Sequence, residues 1–299
     1  MGLFLQLLIN GLTVGSFYAL TALGYTMVYG IVRLINFAHG DLVMIGAFVG
    51  WTVLSVVAAQ HFPVLAMIAV AAVIAMALTG ALGLMIERFA YQPLLRSSRL
   101  SILITALGAS LALENGVELG YGAGFKVYPH LLPLTTFPLG GAEVSYVQIG
   151  IVTVSLLLMI GLYVFVHFTT IGAAMRALAL DQDAARLMGI NVEFVIQLTF
   201  VLGSILAAAV GVMMGLYYNE ISFLMGFLLG IRAFTAAVIG GIGNIPGAMV
   251  GGMVIGLLEA FTSGYVSSRW SDVFVFGALI LTLMFRPTGI LGERVVERM

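Results

Sequence analysis

The sequence predicts an all-α, polytopic transmembrane protein, and three observations carry that prediction. Hydrophobic residues make up 62% of the 299 positions, charged residues only 8%, and the mean hydropathy is +1.15. Apolar runs long enough for a bilayer core, about 20 residues each, recur from one end of the chain to the other. Backbone groups in lipid must be satisfied within the structure, so only helices or a closed barrel can span. The runs are too long for the roughly ten-residue strands of a barrel.

Composition also excludes. The net charge is −1 and no basic block exists, which argues against a nucleic-acid partner. With no cysteine there is no disulfide, thiol chemistry or Cys-based metal site. The opening MGLFLQLLING lacks the positive n-region of a conventional signal peptide. Gln6 stands where myristoylation needs Ser or Thr, so the first apolar run is read as part of the mature chain.

Taken in order, the apolar runs predict spans at 8–31, 42–59, 64–87, 100–119, 147–168, 194–216, 222–240, 246–262 and 272–286. Nine is favoured within a range of about eight to ten, in one transmembrane domain covering 1–299. Run 222–240 contains Arg232, and segment 30–46 has the composition of a broken or re-entrant element. Orientation follows from basic residues. Arg33, Arg88, Arg96, Arg99, Arg176, Arg186, Arg286, Arg294 and Arg298 fall on one side of a nine-span chain, and Lys126 and Arg269 on the other. The basic side is cytoplasmic, with the C-terminus; parity places the N-terminus outside. The longest outside loop, 120–146, carries Tyr121, Tyr128, Pro129, Pro133, Pro138, Gly140 and Gly141, an ordered but irregular cap.

Glycine is spaced for helix contact at Gly11/Gly15, Gly46/Gly50, Gly211/Gly215, Gly226/Gly230, Gly247/Gly251 and Gly252/Gly256. Lipid gives helices no hydrophobic reason to associate, so close backbone packing must do it. These pairs serve either packing within the subunit or, at one seam, another subunit.

Polar residues at membrane depth need reasons, since a charge there costs at least about 2.5–3.5 kcal/mol. Segment 35–46, INFAHGDLVMIG, places Asn36, His39 and Asp41 between two apolar runs. It reads either as a turn with Asp41 capping the next helix or as a broken helix lining a gate. A second island, GGIGNIPGAMVGG at 240–252, loosely repeats it, with Asn244 at the mouth of a helix. Arg232 is expected to pair with Glu259 or Glu220, to snorkel, or to meet an anionic solute group. Glu87 with Arg88 reads as a helix end meeting the cytoplasm, and Glu114 and Glu118 as solvated at the outer vestibule. One His and one Asp are too few ligands for a metal.

The cassette 176–193, RALALDQDAARLMGINVE, is the one extended stretch of the second half that must sit in water. It is patterned as an amphipathic helix, with Ala179, Leu180, Ala184, Leu187 and Met188 on one face and Asp181, Gln182 and Arg186 on the other. A short, Ala-rich helix presented on one side of a membrane protein is a docking surface. No Walker A, GxSxG, HExxH or Rossmann pattern occurs. The chain is therefore read as having no catalysis and no directly bound cofactor, with any energy source in a partner.

Within the cassette, Asp183, Ala184 and Ala185 followed by Gly189 resemble the EAA-xxx-G signature of ABC importer permeases, with Asp for Glu. NGLTVGSFYALTALGYTMVYGIVRLINFAHGD (10–41), ERFAYQPLLRSS (87–98), MGINVEFVIQLTFVLGSILAAAVGV (188–212), FTAAVIGGIGNIPGAMVGG (234–252) and RPTGILG (286–292) are similar to the LivH-type permease of high-affinity branched-chain amino acid importers. The resemblance implies a bacterial inner-membrane subunit with the fold of the larger-type importer permeases. It further implies a homologous second permease (LivM-like), two ATPase subunits (LivG/LivF-like) that use the ATP, and a periplasmic substrate-binding protein. Asp183, Ala184, Ala185, Arg186 and Gly189 would form the coupling helix. Asn36, His39, Asp41, Arg232 and Asn244 are the candidates for the pathway and its gate. Substrates of the group include leucine, isoleucine, valine and other small amino acids, amides and carboxylates. The competing class is an ion- or proton-coupled secondary carrier, for which Asp41, Glu114 and Glu259 are the available intramembrane acids; a membrane enzyme would need a catalytic set that the sequence lacks.

Overall fold

A computed structural model describes residues 2–57, 62–94, 97–132 and 135–292. Arg96, Pro133, Arg294, Arg298 and the Arg99 side chain, all named above, lie outside what it describes. The helices are α1 Gly2–Val32, α2 His39–Val57, α3 Val64–Ile86, α4 Arg99–Tyr121, α5 Tyr146–Phe168, α6 Thr170–Leu180, α7 Gln182–Leu187, α8 Val192–Tyr218, α9 Met225–Gly240, α10 Ile245–Tyr265 and α11 Ser271–Phe285. Four short strands join them: β1 Lys126–Val127, β2 Thr136–Leu139, β3 Ala142–Ser145 and β4 Glu220–Ile221. β2 and β3 form an antiparallel hairpin, and β1 pairs antiparallel with β4. The outer loop expected to be irregular is thus ordered by backbone ladders, one of them reaching β4 beyond α8, within an all-α fold.

Helices α1, α2, α8, α9 and α10 form the centre, and α3, α4, α5 and α11 turn leucine, valine, isoleucine and phenylalanine side chains outward. That is the pattern of a bundle solvated by lipid. Among the described residues, eight helical stretches are long and apolar enough to cross a membrane. The ninth expected span, 222–240, is shorter than expected: α9 has 16 residues, about 24 Å of helix against a core of about 30 Å.

The glycine pairs serve contacts inside the chain. Gly252 and Gly256 of α10 lie on the backbones of Ala19 and Gly15 of α1, and Gly11 faces Leu257 and Ala260. Gly46 and Gly211 join α2 to α8, Gly226 and Gly230 seat α9 on Gly40, and Gly251 packs against Ala236 and Gly240. Gly50 and Gly215 leave room for Tyr128, which is fully buried between α2 and α8. Burial pushes the Tyr128 phenol above its ordinary value.

Candidate translocation and coupling sites

Two regions concentrate the polar side chains, one inside the bundle and one on the face that carries α6 and α7. The inner one begins where α1 stops. Arg33 adopts a left-handed backbone with φ 56°, and its N–H bonds back to Tyr29 at 2.8 Å. This is a helix-ending geometry. Residues 33–36 are non-helical and a turn follows, so α2 starts at His39. The turn is closed by the His39 N–H on the Asn36 carbonyl at 3.0 Å. The Asn36 side chain, 2% exposed, accepts a hydrogen bond from the Tyr91 hydroxyl at 2.8 Å. The His39 ring is buried edge-on to Tyr25, with centroids 4.8 Å apart, and rests over Gly24.

Asp41 does not cap α2 as the simple-turn reading has it. It lies inside the first turn, 1% exposed, and Oδ2 accepts from Ser110 Oγ of α4 at 2.5 Å, while Oδ1 has no hydrogen-bond partner. Glu114, one helical turn beyond Ser110, is also buried, with Oε1 unpartnered. It is therefore not a solvated vestibule residue. Glu87 is likewise buried rather than at a helix end, because a π-turn over Glu87–Tyr91 carries the chain onward from α3.

Depth follows from helix geometry. Trp51 Nε1 donates to the Val127 carbonyl of β1 at 2.8 Å, and the hydroxyls of Thr52 and Tyr121 lie 2.8 Å apart. Asp41 stands ten residues before Trp51 on α2, and Ser110 eleven before Tyr121 on α4, about 15 Å in each case. Their contact is therefore near half of a core of about 30 Å. Gly226, in the first turn of α9, packs on Gly40 and Asp41 at this same depth. Two helices of opposite direction begin here side by side. This is why run 222–240 yields a short helix: the chain leaves β4 and reaches mid-depth before turning helical. Both N-termini direct partial positive charge at the zone of the Asp41 carboxylate.

The other candidates lie apart. Arg232 on α9 binds Glu259 Oε1 at 2.7 Å, Asp272 Oδ1 at 2.8 Å and the Tyr18 hydroxyl at 3.1 Å, and Tyr18 donates to Glu259 Oε2 at 2.5 Å. Glu259 is the partner expected; Asp272 of α11 was not foreseen, and Glu220 sits in β4. Asn244 caps α10, accepting from the Gly247 N–H at 2.9 Å, and its amide donates to the Leu291 carbonyl at 2.9 Å. The two islands match only in standing before a helix.

The cassette is not one helix. Asp181 breaks it, ending α6 in an extended conformation and capping α7 by accepting from the N–H groups of Asp183 and Ala184 at 2.9 and 3.0 Å. Gly189, at φ 83°, then stops α7. Its N–H reaches the Arg186 carbonyl at 3.0 Å and that of Ile190 reaches Ala185 at 3.1 Å, the paired bonds of a Schellman stop. Asn191 caps α8 through Phe194 N–H at 3.1 Å. The small and glycine positions thus have separate reasons. Ala185 is the side chain buried against the bundle, Gly189 supplies the left-handed turn, and Asp183, Ala184 and Arg186 face out. Leu180, Leu187 and Met188 are 80%, 89% and 83% exposed. That apolar surface around a capped helix is more than ordinary scatter accounts for. Sequence reasoning missed Gln182 as an anchor: its amide donates to the Ile31 carbonyl at the end of α1 at 2.8 Å.

Residues 7–284 match the family described as branched-chain amino acid transport system, permease component. The chain is 48% identical over 302 residues to the high-affinity branched-chain amino acid transport system permease protein BraD of Pseudomonas aeruginosa, covering 99% of this chain and 98% of that one. It is 44% identical over 301 residues to the corresponding permease protein LivH of Escherichia coli, covering 99% and 97%. Among solved structures, its fold resembles one described as an inward-facing metal-chelate type ABC transporter, with a TM-score of 0.53 at 17% identity over 93% of this chain and 86% of that one. The chain belongs to the family of membrane permease components of branched-chain amino acid transport systems.

Proposed function

We propose that this chain is the permease subunit of an ATP-driven importer of branched-chain amino acids, leucine, isoleucine and valine, or of related small amino acids, amides and carboxylates. The observation that carries the proposal is the match to branched-chain amino acid permeases along essentially the whole chain. The protein resides in a bacterial inner membrane, with the face bearing α6, α7 and the end of the chain in the cytoplasm and the ladder-bearing loop and N-terminus outside. A homologous second permease completes the pathway. A substrate-binding protein delivers solute to the outer loop, and two ATPase subunits bind and hydrolyse ATP on the cytoplasmic side.

Coupling runs through 176–193. The exposed ridge of Leu180, Leu187 and Met188 beside Asp183, Ala184 and Arg186 seats in the ATPase, with Ala185 holding α7 to the bundle and Gly189 fixing its end. The pathway is gated at the break between α1 and α2, where Asn36, His39 and Asp41 gather; Arg232 and Asn244 brace the bundle around it.

The test is reconstitution of the full complex in liposomes with labelled leucine. Uptake that requires ATP and the binding protein, and is lost in Leu187→Glu and Met188→Glu variants that still insert and assemble with the second permease, is the expected outcome. These exposed positions are better probes than Ala185, where a charge disrupts folding. Uptake by the permease alone down an ion gradient would overturn the proposal in favour of a secondary carrier.

A further inference from the structure

Asp41 and Glu114 are nearly fully enclosed, and each leaves one carboxyl oxygen without a hydrogen-bond donor. Ser110 has a single O–H to give, and it goes to Asp41 Oδ2. On α4 itself Glu118 follows Glu114 by one helical turn and is half-buried. Tyr25 comes from α1 and His39 from α2 itself, while α3 contributes no charged side chain. α8 keeps Glu193 and its tyrosines for its two ends, and the Arg232 of α9 is engaged by Glu259 and Asp272. Among the described residues no Lys or Arg pairs with either carboxyl group.

Two ionised carboxylates without a counter-charge do not persist in such a place. The partial positive charge of the two helix N-termini does not neutralise both carboxylates, so a further positive charge has to come from outside the chain. A metal ion is a poor fit: hard cations take six or more oxygens, and no cluster of three His, Cys, Asp or Glu occurs among the described residues. A proton fits without demanding space. Placed on one carboxyl, it turns two acceptor-only groups into a donor and an acceptor.

We propose that Asp41 and Glu114 form a proton-binding site at the middle of the membrane domain, the pair holding one proton beside Ser110 and keeping α4 against α2. This hold matters because α4 packs chiefly against α2 and the π-turn and is otherwise turned outward. Loss of the proton, when the region opens to water, leaves two like charges that push α4 away. The inference does not depend on which solute is carried.

Infrared spectroscopy of the full-length permease in lipid tests it. At neutral pH, where ordinary carboxylic acids are ionised, and with the other buried carboxyl group removed by Glu87→Gln, the expected signal is one protonated-carboxyl carbonyl band that shifts in heavy water. That band is lost in Asp41→Asn, and in Glu114→Gln it disappears at a lower pH, because burial still favours the protonated Asp41 but the neighbouring negative charge is gone. A band absent before these changes, or unchanged in both variants, overturns the site. A band that appears only when sodium is withdrawn assigns the site to a metal cation and equally overturns the proposal. Should those variants fail to insert, Ser110→Ala keeps both acids: a shift in the band's frequency supports a protonated carboxyl group beside Ser110, and an unmoved band refutes the site.

Discussion

The side-chain amide of Gln182, in the first turn of α7, is bonded to the backbone carbonyl of Ile31, in the last turn of α1. Two residues further on, Arg33 ends α1 and the chain turns inward toward Asn36, His39 and Asp41. A displacement of the cassette thereby reaches the helix break through this polar bond as well as through the packing of α6 on α1. Gln182→Ala should remove about 1 kcal/mol of net interaction while leaving assembly intact. The expected result is a several-fold drop in binding-protein-stimulated ATPase activity with unchanged co-purification; equal loss of both would assign Gln182 to folding instead.

Gly189 is the position in the cassette whose backbone forbids a side chain most clearly. Gly189→Ala is expected to cost about 1–2 kcal/mol through the left-handed conformation alone, since no neighbour lies within 4 Å of where its Cβ would stand. Recovery of ATPase bound to the permease should fall in proportion, while the melting midpoint of the transmembrane bundle changes little. A variant as active as wild type would show that the Schellman stop is dispensable.

The seam between α1 and α10 separates packing glycines from idle ones. Gly256→Leu drives a side chain into Gly15 and is expected to destabilise by about 1–3 kcal/mol. Gly116→Ala on α4, where nothing stands within 4 Å, should stay within about 0.5 kcal/mol. Thermal unfolding of the isolated subunit in detergent compares them.

Arg232 gathers α1, α9, α10 and α11 through Tyr18, Glu259 and Asp272. Arg232→Met leaves Glu259 without its counter-charge and should cost about 1–3 kcal/mol. Asp272→Asn, at the exposed end of the network, should cost under about 1 kcal/mol. Equal melting shifts would mean the arginine matters only for its bulk.

Much of this architecture was legible in the chain because lipid imposes one rule: each stretch of about 20 apolar residues reads as a helix. The boundaries at 64–87 and 147–168 became α3 Val64–Ile86 and α5 Tyr146–Phe168 almost unchanged. The misses have a common cause, namely polar groups whose partners are distant in sequence. Asp181 looks like one more residue on a polar face until its carboxylate is seen to cap α7. Glu114 looks solvated because it stands near a helix end one turn from Glu118, and nothing in the sequence marks the stripe Ile102, Ala106, Ser110 and Glu114 as the buried face of α4. The reading of Arg232 found Glu259 and overlooked Asp272, which a start-of-helix position made look like an ordinary exposed acid.

The short α9 has a consequence for how the protein is made. A ribosome delivers α9 to the membrane before Glu259 and Asp272 exist, so its arginine enters with neither partner and its 16 residues are too few to hold a spanning pose. Helices α9 to α11 therefore acquire their topology as a unit: α9 settles only after α10 and α11 have followed it, and the fold around Arg232 waits on α11 to leave the ribosome.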